Sequence, residues 1–437
     1  MRDFLPDDLR RREYVVGVVR DVYERYGFEP LETPAVENID TLLGKYGEES
    51  NKLIFKILRR GEHESSGQAD LALRYDLTVP LARVVAEYQA TLPKFFKRYQ
   101  IQPVWRADRP ARGRFREFYQ CDVDVVGTTS LVVEAELLAA SSEALKNLGF
   151  EEFSIRLNHR QLLAVILGEV PAEKHNAALI ALDKQDKIGW AGVQEEWQRA
   201  GITATAALLG FFHAAAAGKL ANSNAEIIEL LRRQFGSHGG EAPLQQLSTI
   251  LHLSAATGTD RRIRIDPSLA RGLSYYTGAI MEIAFEGIGS LGGGGRYDNL
   301  IGMFLGRDVP ACGFSLGLER ILVVMSERKM FPDSVARTSA DVMVTLWNDE
   351  TRGDALALAS TLRAAGLRVD VYPEPEKIGK QFKYASSRNV PFVTVVGDDE
   401  QARDEVSVKD MRTGEQKTVS RTEVTEYLKQ RATSNEQ

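Results

Sequence analysis

Only two cysteines, Cys121 and Cys312, occur in 437 residues, and neither has a second sulfur near it in sequence. That scarcity excludes a disulfide-stapled secreted fold and a thiolate zinc site, and it favours a reducing, cytoplasmic setting. Histidine is sparse as well. His63, His159, His175, His213, His238 and His252 are scattered without metal-ligand spacing, and each reads as an ordinary surface or core residue. No zinc and no organic cofactor is therefore expected. Long apolar runs are missing too. The stretch "ATAALLGFFHAAAAG" is too short and too rich in alanine to span a bilayer, so no membrane association is expected. The opening "MRDFLPDDLRRREYV" is charged from its second residue and does not read as a signal peptide. A positive excess is also absent. The formal net charge of −6 argues against a protein that coats nucleic acid over its whole surface, but not against a local basic patch.

What is present begins with length. At 437 residues the chain exceeds one ordinary core, since domains usually run to about 100–200 residues, so two or three domains are expected. After Pro6, the residues Leu9, Val15, Val18, Val19 and Val22 fall on one apolar stripe, which predicts a helix from about Asp7 to Tyr26. From Asp70 to Val126 the pattern reads as strand and loop. "LRYDLTVPLAR" comes first, then "FFKRYQIQPVW" and "REFYQCDVDVVG" as an antiparallel pair around the basic loop "RADRPARGRF". From about Pro171 to Ala256 alanine, leucine and glutamate dominate, and "NAEIIELLRRQFG" stops at a glycine as helices do. This span is expected to be a helical insertion. β-type sequence returns in "RRIRIDPSLARGLSYYTGAIMEIAF" and in "VPACGFSLGLERILVVM". Beyond a linker-like stretch at 326–340, strand and helix patterns alternate, and "VPFVTVVG" is apolar throughout, as suits a strand covered on both faces. Residues from about Asp341 onward are expected to form a small, separate α/β domain.

Five stretches could carry chemistry. In "EFYQCDVDVV" the two-residue strand period puts Tyr119, Cys121, Val123 and Val125 on one face. Phe118, Gln120, Asp122 and Asp124, with Arg116, fall on the other. Pattern alone favours a solvated polar face over a pocket lining, because antiparallel sheets often wet one side. Around the loop, Lys94, Lys97, Arg98, Arg106, Arg109, Arg112, Arg114 and Arg116 crowd together with Asp108 almost alone among them. A solvated hairpin is the commoner fate of a charge run. In an acidic protein this concentration instead favours a phosphate clamp, since a guanidinium can hold two phosphate oxygens at once. "SLGGGGRYDNL" reads either as a flexible turn or as backbone that a ligand must approach closely. It lacks the Gly-Lys-Ser/Thr of a P-loop and the third glycine of a dinucleotide fingerprint. "GFSLGLER" reads as a strand entering a helix, with Arg320 facing solvent when taken by itself. "RGLSYYTG" is the least ordinary. Its tyrosines suit a strand, its glycines weaken one, and Arg271 needs a partner if buried.

Together and in this order, these stretches resemble the motifs of class II aminoacyl-tRNA synthetases, and specifically of the histidyl-tRNA synthetase family. "FEPLETP" is similar to motif 1, the dimer-forming segment, with its proline at Pro34. "WRAD" with "RGRFREFYQ" is similar to motif 2, Arg106 being its phosphate-binding arginine, and "GFSLGLERI" is similar to motif 3 with Arg320. "RGLSYYTG" and "GGGGRYD" resemble the two signatures peculiar to the histidine enzymes. The resemblance covers nearly the whole chain. It implies an α+β catalytic domain over 1–330, built on an antiparallel sheet with flanking helices and carrying the helical insertion at about 171–256. An α/β anticodon-binding-type domain over 341–437 would follow.

The implied activity is histidine–tRNA ligation, with ATP as substrate, Mg2+ arriving with it, and L-histidine and histidine tRNA as partners of a homodimer. Carried over residue by residue, Asp76, Thr78 and Gln120 would hold the histidine α-amino group. Asp124 and Tyr276 would bond the imidazole, with Tyr275 and Tyr297 in the same pocket. Arg106, Arg114, Arg116, Arg271 and Arg320 would surround ATP, and Arg271 with Arg106 would carry catalysis. No metal ligands are assigned. Three positions depart from the family pattern: Ser274 replaces the usual aspartate, Asp108 a commoner glutamate, and Ala111 the glutamine of many bacterial members. Three rival readings are a regulatory subunit that keeps the fold without aminoacylation, another class IIa synthetase, and a histidine or uncharged-tRNA sensor. Arg271 and the C-terminal domain weigh against the first, and the two histidine-type signatures against the second.

Overall fold

The computed structural model describes residues 1–46, 51–61, 67–336 and 340–433. His63, positions 337–339 of the expected linker and residues 434–437 lie outside the described residues. Two units separate, Met1–Phe331 and Pro332–Gln437.

The first unit holds strands β1 (Glu29–Pro30), β2 (Val36–Asn38), β3 (Lys56–Leu58), β4 (Ala69–Leu73), β5 (Phe96–Trp105) and β6 (Glu117–Val126). It continues with β7 (Ser154–His159), β8 (Ile263–Ile265), β9 (Ala279–Phe285), β10 (Gly289–Arg296) and β11 (Ala311–Gly317). Eight strands form one sheet in the order β1-β5-β6-β11-β10-β9-β7-β8, and β2, β4 and β3 form a small second sheet. The large sheet is antiparallel from β5 through to β7 and parallel only at its ends, where β1 joins β5 and β8 joins β7. Helix Pro6–Arg25 buries Val15, Val19, Val22 and Tyr23. It opens on a proline, whose missing N–H costs nothing in a first turn, and on two aspartates that suit the positive helix end. Helices Val132–Asn147 and Leu318–Glu327 pack against it and against β11 and β6. The helical span lies between β7 and β8 as helices His175–Asp183, Gln185–Arg199, Ala206–Ala216, Asn224–Phe235 and Glu241–Ala255.

Three stretches fold differently from expectation. Thr78–Tyr88, read as strand and loop, is a helix. Asp76 accepts the Val79 N–H at 3.0 Å and so satisfies a free donor at the helix start. Pro80 falls in the first turn, where it breaks no ladder bond, and Val79, Leu81, Ala82, Val84 and Val85 give the helix a buried side. "RGLSYYTG" is not strand but part of the loop that joins β8 to β9. The four-glycine run is not a turn: it lies inside β10, paired on both sides.

In the second unit, β12 (Val342–Val344), β13 (Val369–Val371), β14 (Phe392–Val395), β15 (Glu405–Asp410) and β16 (Gln416–Ser420) form a sheet ordered β13-β12-β14-β15-β16. The first three are parallel and the last two pair antiparallel. All four residues of β14 are buried, as its apolar run predicts. Among the described residues no helix is long and apolar enough to cross a membrane. Cys121 and Cys312 are both buried free thiols.

Candidate active site

β5 and β6 align their polar residues in register: Arg98 opposite Asp124, Gln100 opposite Asp122, and Gln102 opposite Gln120. The Asp122 and Asp124 end of this face, expected to be solvated, is enclosed. Arg98 and Gln100 are 0% exposed, and Asp122 and Asp124 are 2% exposed. Two buried carboxylates need a counter-charge, and Arg98 supplies it. Its Nη2 lies 2.9 Å from Asp124 Oδ2 and 3.9 Å from Asp122 Oδ2, and it donates to the Leu77 carbonyl at 3.2 Å. Burial pushes the Asp122 carboxyl up to about 7, with Arg98 opposing and the Asp124 charge adding to the rise. Burial raises Asp124 as well, against Arg98 and Tyr297. Asp124 Oδ1 accepts the Tyr297 hydroxyl. Its Oδ2 sits beside Arg98 but takes no well-directed hydrogen bond among the described residues.

A wall of tyrosines runs from Asp124 to Asp76. Tyr297 and Tyr275 pack edge to face with centroids 5.9 Å apart, and Tyr275 and Tyr276 stand at 5.0 Å. The Tyr275 hydroxyl reaches Asp76 Oδ2 at 3.4 Å and also meets the Thr78 side chain. Asp76 Oδ1 accepts the Tyr46 hydroxyl at 2.9 Å. Burial pushes the Tyr276 phenol up to about 12, with Arg271 opposing. Gln120 stands between the two regions: its Nε2 donates to Ser315 Oγ at 2.9 Å, while its Oε1 accepts from Arg106 at 3.5 Å. Buried carboxylates set among aromatic rings suit a small ligand that brings N–H donors.

Beyond Gln120 the charge changes sign. Arg106 donates to the Tyr75 carbonyl at 3.0 Å, with its guanidinium 4.3 Å from the Tyr75 ring centroid and 5.1 Å from that of Phe118. Arg320, on the helix that follows β11, donates to the Ser290 carbonyl. Burial lowers its pKa first, and the charges of Arg114, Arg271 and Arg106 lower it further, as neighbouring cations do. Arg271 donates to Glu282 Oε2 at 2.9 Å. Burial works against its charge, but Tyr276, Glu282 and Asp183 outweigh that and raise its pKa. A convergence of guanidiniums attracts a polyanion.

The basic loop contributes less to this convergence than its composition implies. Arg98 lies buried under the carboxylates, Lys97 pairs with Glu136 at 2.9 Å, and Arg112 pairs with Glu327. Arg116 is exposed and donates to the Asp108 carbonyl at 3.3 Å, apart from the four. Only Arg106 and Arg114 of the loop join Arg271 and Arg320.

The glycine run makes room for the protein's own parts. A Cβ on Gly293 would fall 2.5 Å from the Arg271 guanidinium, and one on Gly295 would fall 2.9 Å from the Tyr276 ring. A Cβ on Gly313 of β11 would lie 1.8 Å from Asp124 Oδ1. Reading by motif groups Arg98 with the basic loop and gives Asp122, Glu282 and Gly313 no role, whereas Arg98 pairs with the two buried aspartates. The alternation of Arg98, Gln100 and Gln102 along β5 is a signal that could have found this place for Arg98. Among the described residues, no group of three or more His, Cys, Asp or Glu could hold a metal by itself.

Comparison with known proteins shows the family and the fold. The family model described as Histidyl-tRNA synthetase matches residues 1–321, and that described as Anticodon binding domain matches 341–431. A Histidine--tRNA ligase of Cytophaga hutchinsonii is 41% identical over 98% of this chain and 98% of its own length. One of Gloeobacter violaceus is also 41% identical, over 96% of this chain and 95% of its own. The crystal structure of histidyl-tRNA synthetase from Nostoc sp. PCC 7120 aligns with a TM-score of 0.78 at 32% identity, covering 98% of this chain and 97% of that one.

Proposed function

The chain belongs to the histidyl-tRNA synthetase family, and on that premise we propose that it charges histidine tRNA in two steps. The histidine carboxylate attacks the α-phosphate of ATP in line, forming histidyl-adenylate and releasing pyrophosphate. The terminal ribose hydroxyl of the tRNA then attacks the acyl carbon and AMP leaves. One observation carries the reading: Gln120 touches both the carboxylate-and-tyrosine pocket and Arg106 of the arginine cluster. An amino acid in that pocket would therefore lie beside a nucleotide's phosphates.

In this reading Asp76, Thr78 and Gln120 take the α-amino group, and Asp124 and Tyr276 take the imidazole, with Tyr275 and Tyr297 as walls. Arg106, Arg114, Arg271 and Arg320 surround the phosphates, and Arg116 would have to swing in from solvent to join them. Such chemistry needs positioning and charge stabilisation more than general bases, and that is what four arginines supply. Magnesium would come on the ATP phosphates, in a cytoplasmic enzyme. Exchange of labelled pyrophosphate into ATP, run with each amino acid in turn, tests the proposal. Exchange that depends on histidine alone is expected, and exchange driven by another amino acid or by none would refute it.

The second unit, residues 332–437, is proposed to serve tRNA and not adenylate chemistry. A chain ending at Phe331, shown to be folded by circular dichroism and sizing, should keep histidine-dependent exchange and lose efficient charging. Charging at the parent's rate would overturn that division of labour. The enzyme is also proposed to be a homodimer through the Phe28–Pro34 segment. β1 lies there at an edge of the large sheet, and nearby β2 and β3 leave Val36 and Leu58 exposed at 38% and 55%. Sedimentation should give twice the chain mass at micromolar concentration, and an active monomer would count against it.

A further inference from the structure

Where the first two long helices of the insertion meet, the chain goes against local rules. Asp183 is the last residue of the helix His175–Asp183, where the helix dipole disfavours a negative charge. Within the next helical segment Gly189 takes φ 65° and ψ 178°, a backbone state close to exclusive to glycine, and the chain kinks there. Nothing within 4 Å would crowd a side chain at Gly189, so it is the backbone direction that requires glycine. Departures of this kind point to a demand from elsewhere in the fold.

That demand is visible at the loop before β9. The carboxylate of Asp183, itself a solvent-exposed residue, lies against the Gly272 backbone: a Cβ on Gly272 would fall 2.8 Å from Asp183 Oδ2. The positive charges of Arg271 and Lys187 favour its ionised form and the charge of Glu282 opposes it, while Arg271's own ion pair is with Glu282 at 2.9 Å. Lys187, although solvent-accessible, faces Arg114 and Arg320. The stretch Arg271–Gly278 carries no acidic residue of its own, and Ser274 is exposed. The Arg271 guanidinium therefore rests on Gly293 and is bonded by Glu282 from β9, while Asp183 from the insertion abuts the next residue, Gly272.

We infer that Asp183 is a positioning residue for Arg271, and that through it the helical insertion completes the site of histidine activation. The inference rests on the ligase reading above. Arg271 would act on the reacting groups, while Asp183 would fix the Gly272 backbone and the direction of the guanidinium.

Histidine-dependent pyrophosphate exchange in the full-length protein tests it. Asp183→Ala should lower kcat by about 10- to 100-fold with little change in histidine KM, because a small displacement of an aligned group costs rate on that scale. Asp183→Asn keeps a side chain of the same shape against Gly272 without the charge and should lie between the two. It also carries the test if the alanine variant fails to fold. Gly272→Ala should lose activity by pushing the carboxylate aside, so the double variant should lose no more than the worse single. Additive losses, or full kcat in Asp183→Ala and Asp183→Asn beside an active parent, would overturn the inference alone. A parent without histidine-dependent exchange would instead refute the ligase reading.

Discussion

Arg271→Ala should slow histidyl-adenylate formation by about 10²–10³, the typical cost of losing one donor aimed at charge that develops in a transition state. The structure gives the expectation its geometry. Arg271 lies across the bare backbone of Gly293 and is tied to Glu282 at 2.9 Å. In the proposed mechanism a guanidinium fixed there would hold the histidine carboxylate and the α-phosphate together, because it offers five donors in one plane and stays charged. The fold should survive the change. Glu282 keeps Arg156 at 3.1 Å when Arg271 is gone, so no buried carboxylate is stranded. Arg271→His should lose as much, and Arg271→Lys should recover only part, since an ammonium cannot hold Glu282 and bridge two oxygens at once. Transfer from preformed adenylate should suffer less, because attack on phosphorus is then complete. Single-turnover measurement of each step decides it. Normal activation with defective transfer would make Arg271 a tRNA contact and sink the mechanism.

How much of this could be read from residues alone depended on whether the cause was local. Helix Pro6–Arg25, the β5–β6 pair and the alternation of the second unit follow periods within single segments, and each is found where its period predicts. Thr78–Tyr88 escaped because its β-branched residues suit a strand and Pro80 reads as a break, while the bond that starts it comes from Asp76, two residues outside it. The placing of Gln120 and Asp124 on one face needed only the strand period. Burial of that face did not follow, because it depends on Arg98 from β5 and on Tyr297, which follows β10 two strands away. The glycine run shows the same limit. Its demand for absent side chains was legible, but the groups filling that space, Arg271 and Tyr276, are brought in by a different loop. Asp183 gave no signal at all, since an acid at a helix end looks like any surface residue until Gly272 is set against it.

Asp124→Ala should raise the histidine KM strongly while leaving the ATP KM near that of the parent. In the proposed pocket Asp124 is the acceptor for an imidazole N–H, and its Oδ2 takes no well-directed bond among the described residues. A hydrogen bond to a charged acceptor contributes roughly 1.5–3 kcal/mol, or about 10- to 150-fold in affinity. The variant should also be less stable. Arg98 is fully buried, and without Asp124 at 2.9 Å its remaining acidic partner is Asp122 at 3.9 Å. Stranding a buried charge costs about 3–5 kcal/mol, and Asp122 should hold the loss to the lower part of that range. It can do so because its carboxyl, held up at about 7 by burial and by the Asp124 charge, becomes easier to ionise once Asp124 is removed. Asp124→Asn separates the two effects, since it keeps the shape and one acceptor oxygen while removing the charge that balances Arg98. Gly313→Ala supplies an independent check: its methyl would sit 1.8 Å from Asp124 Oδ1 and displace the carboxylate without deleting it. Its histidine KM should rise with that of Asp124→Ala. Equal histidine KM in parent and Asp124→Ala, measured by exchange at saturating ATP, would remove Asp124 from imidazole recognition.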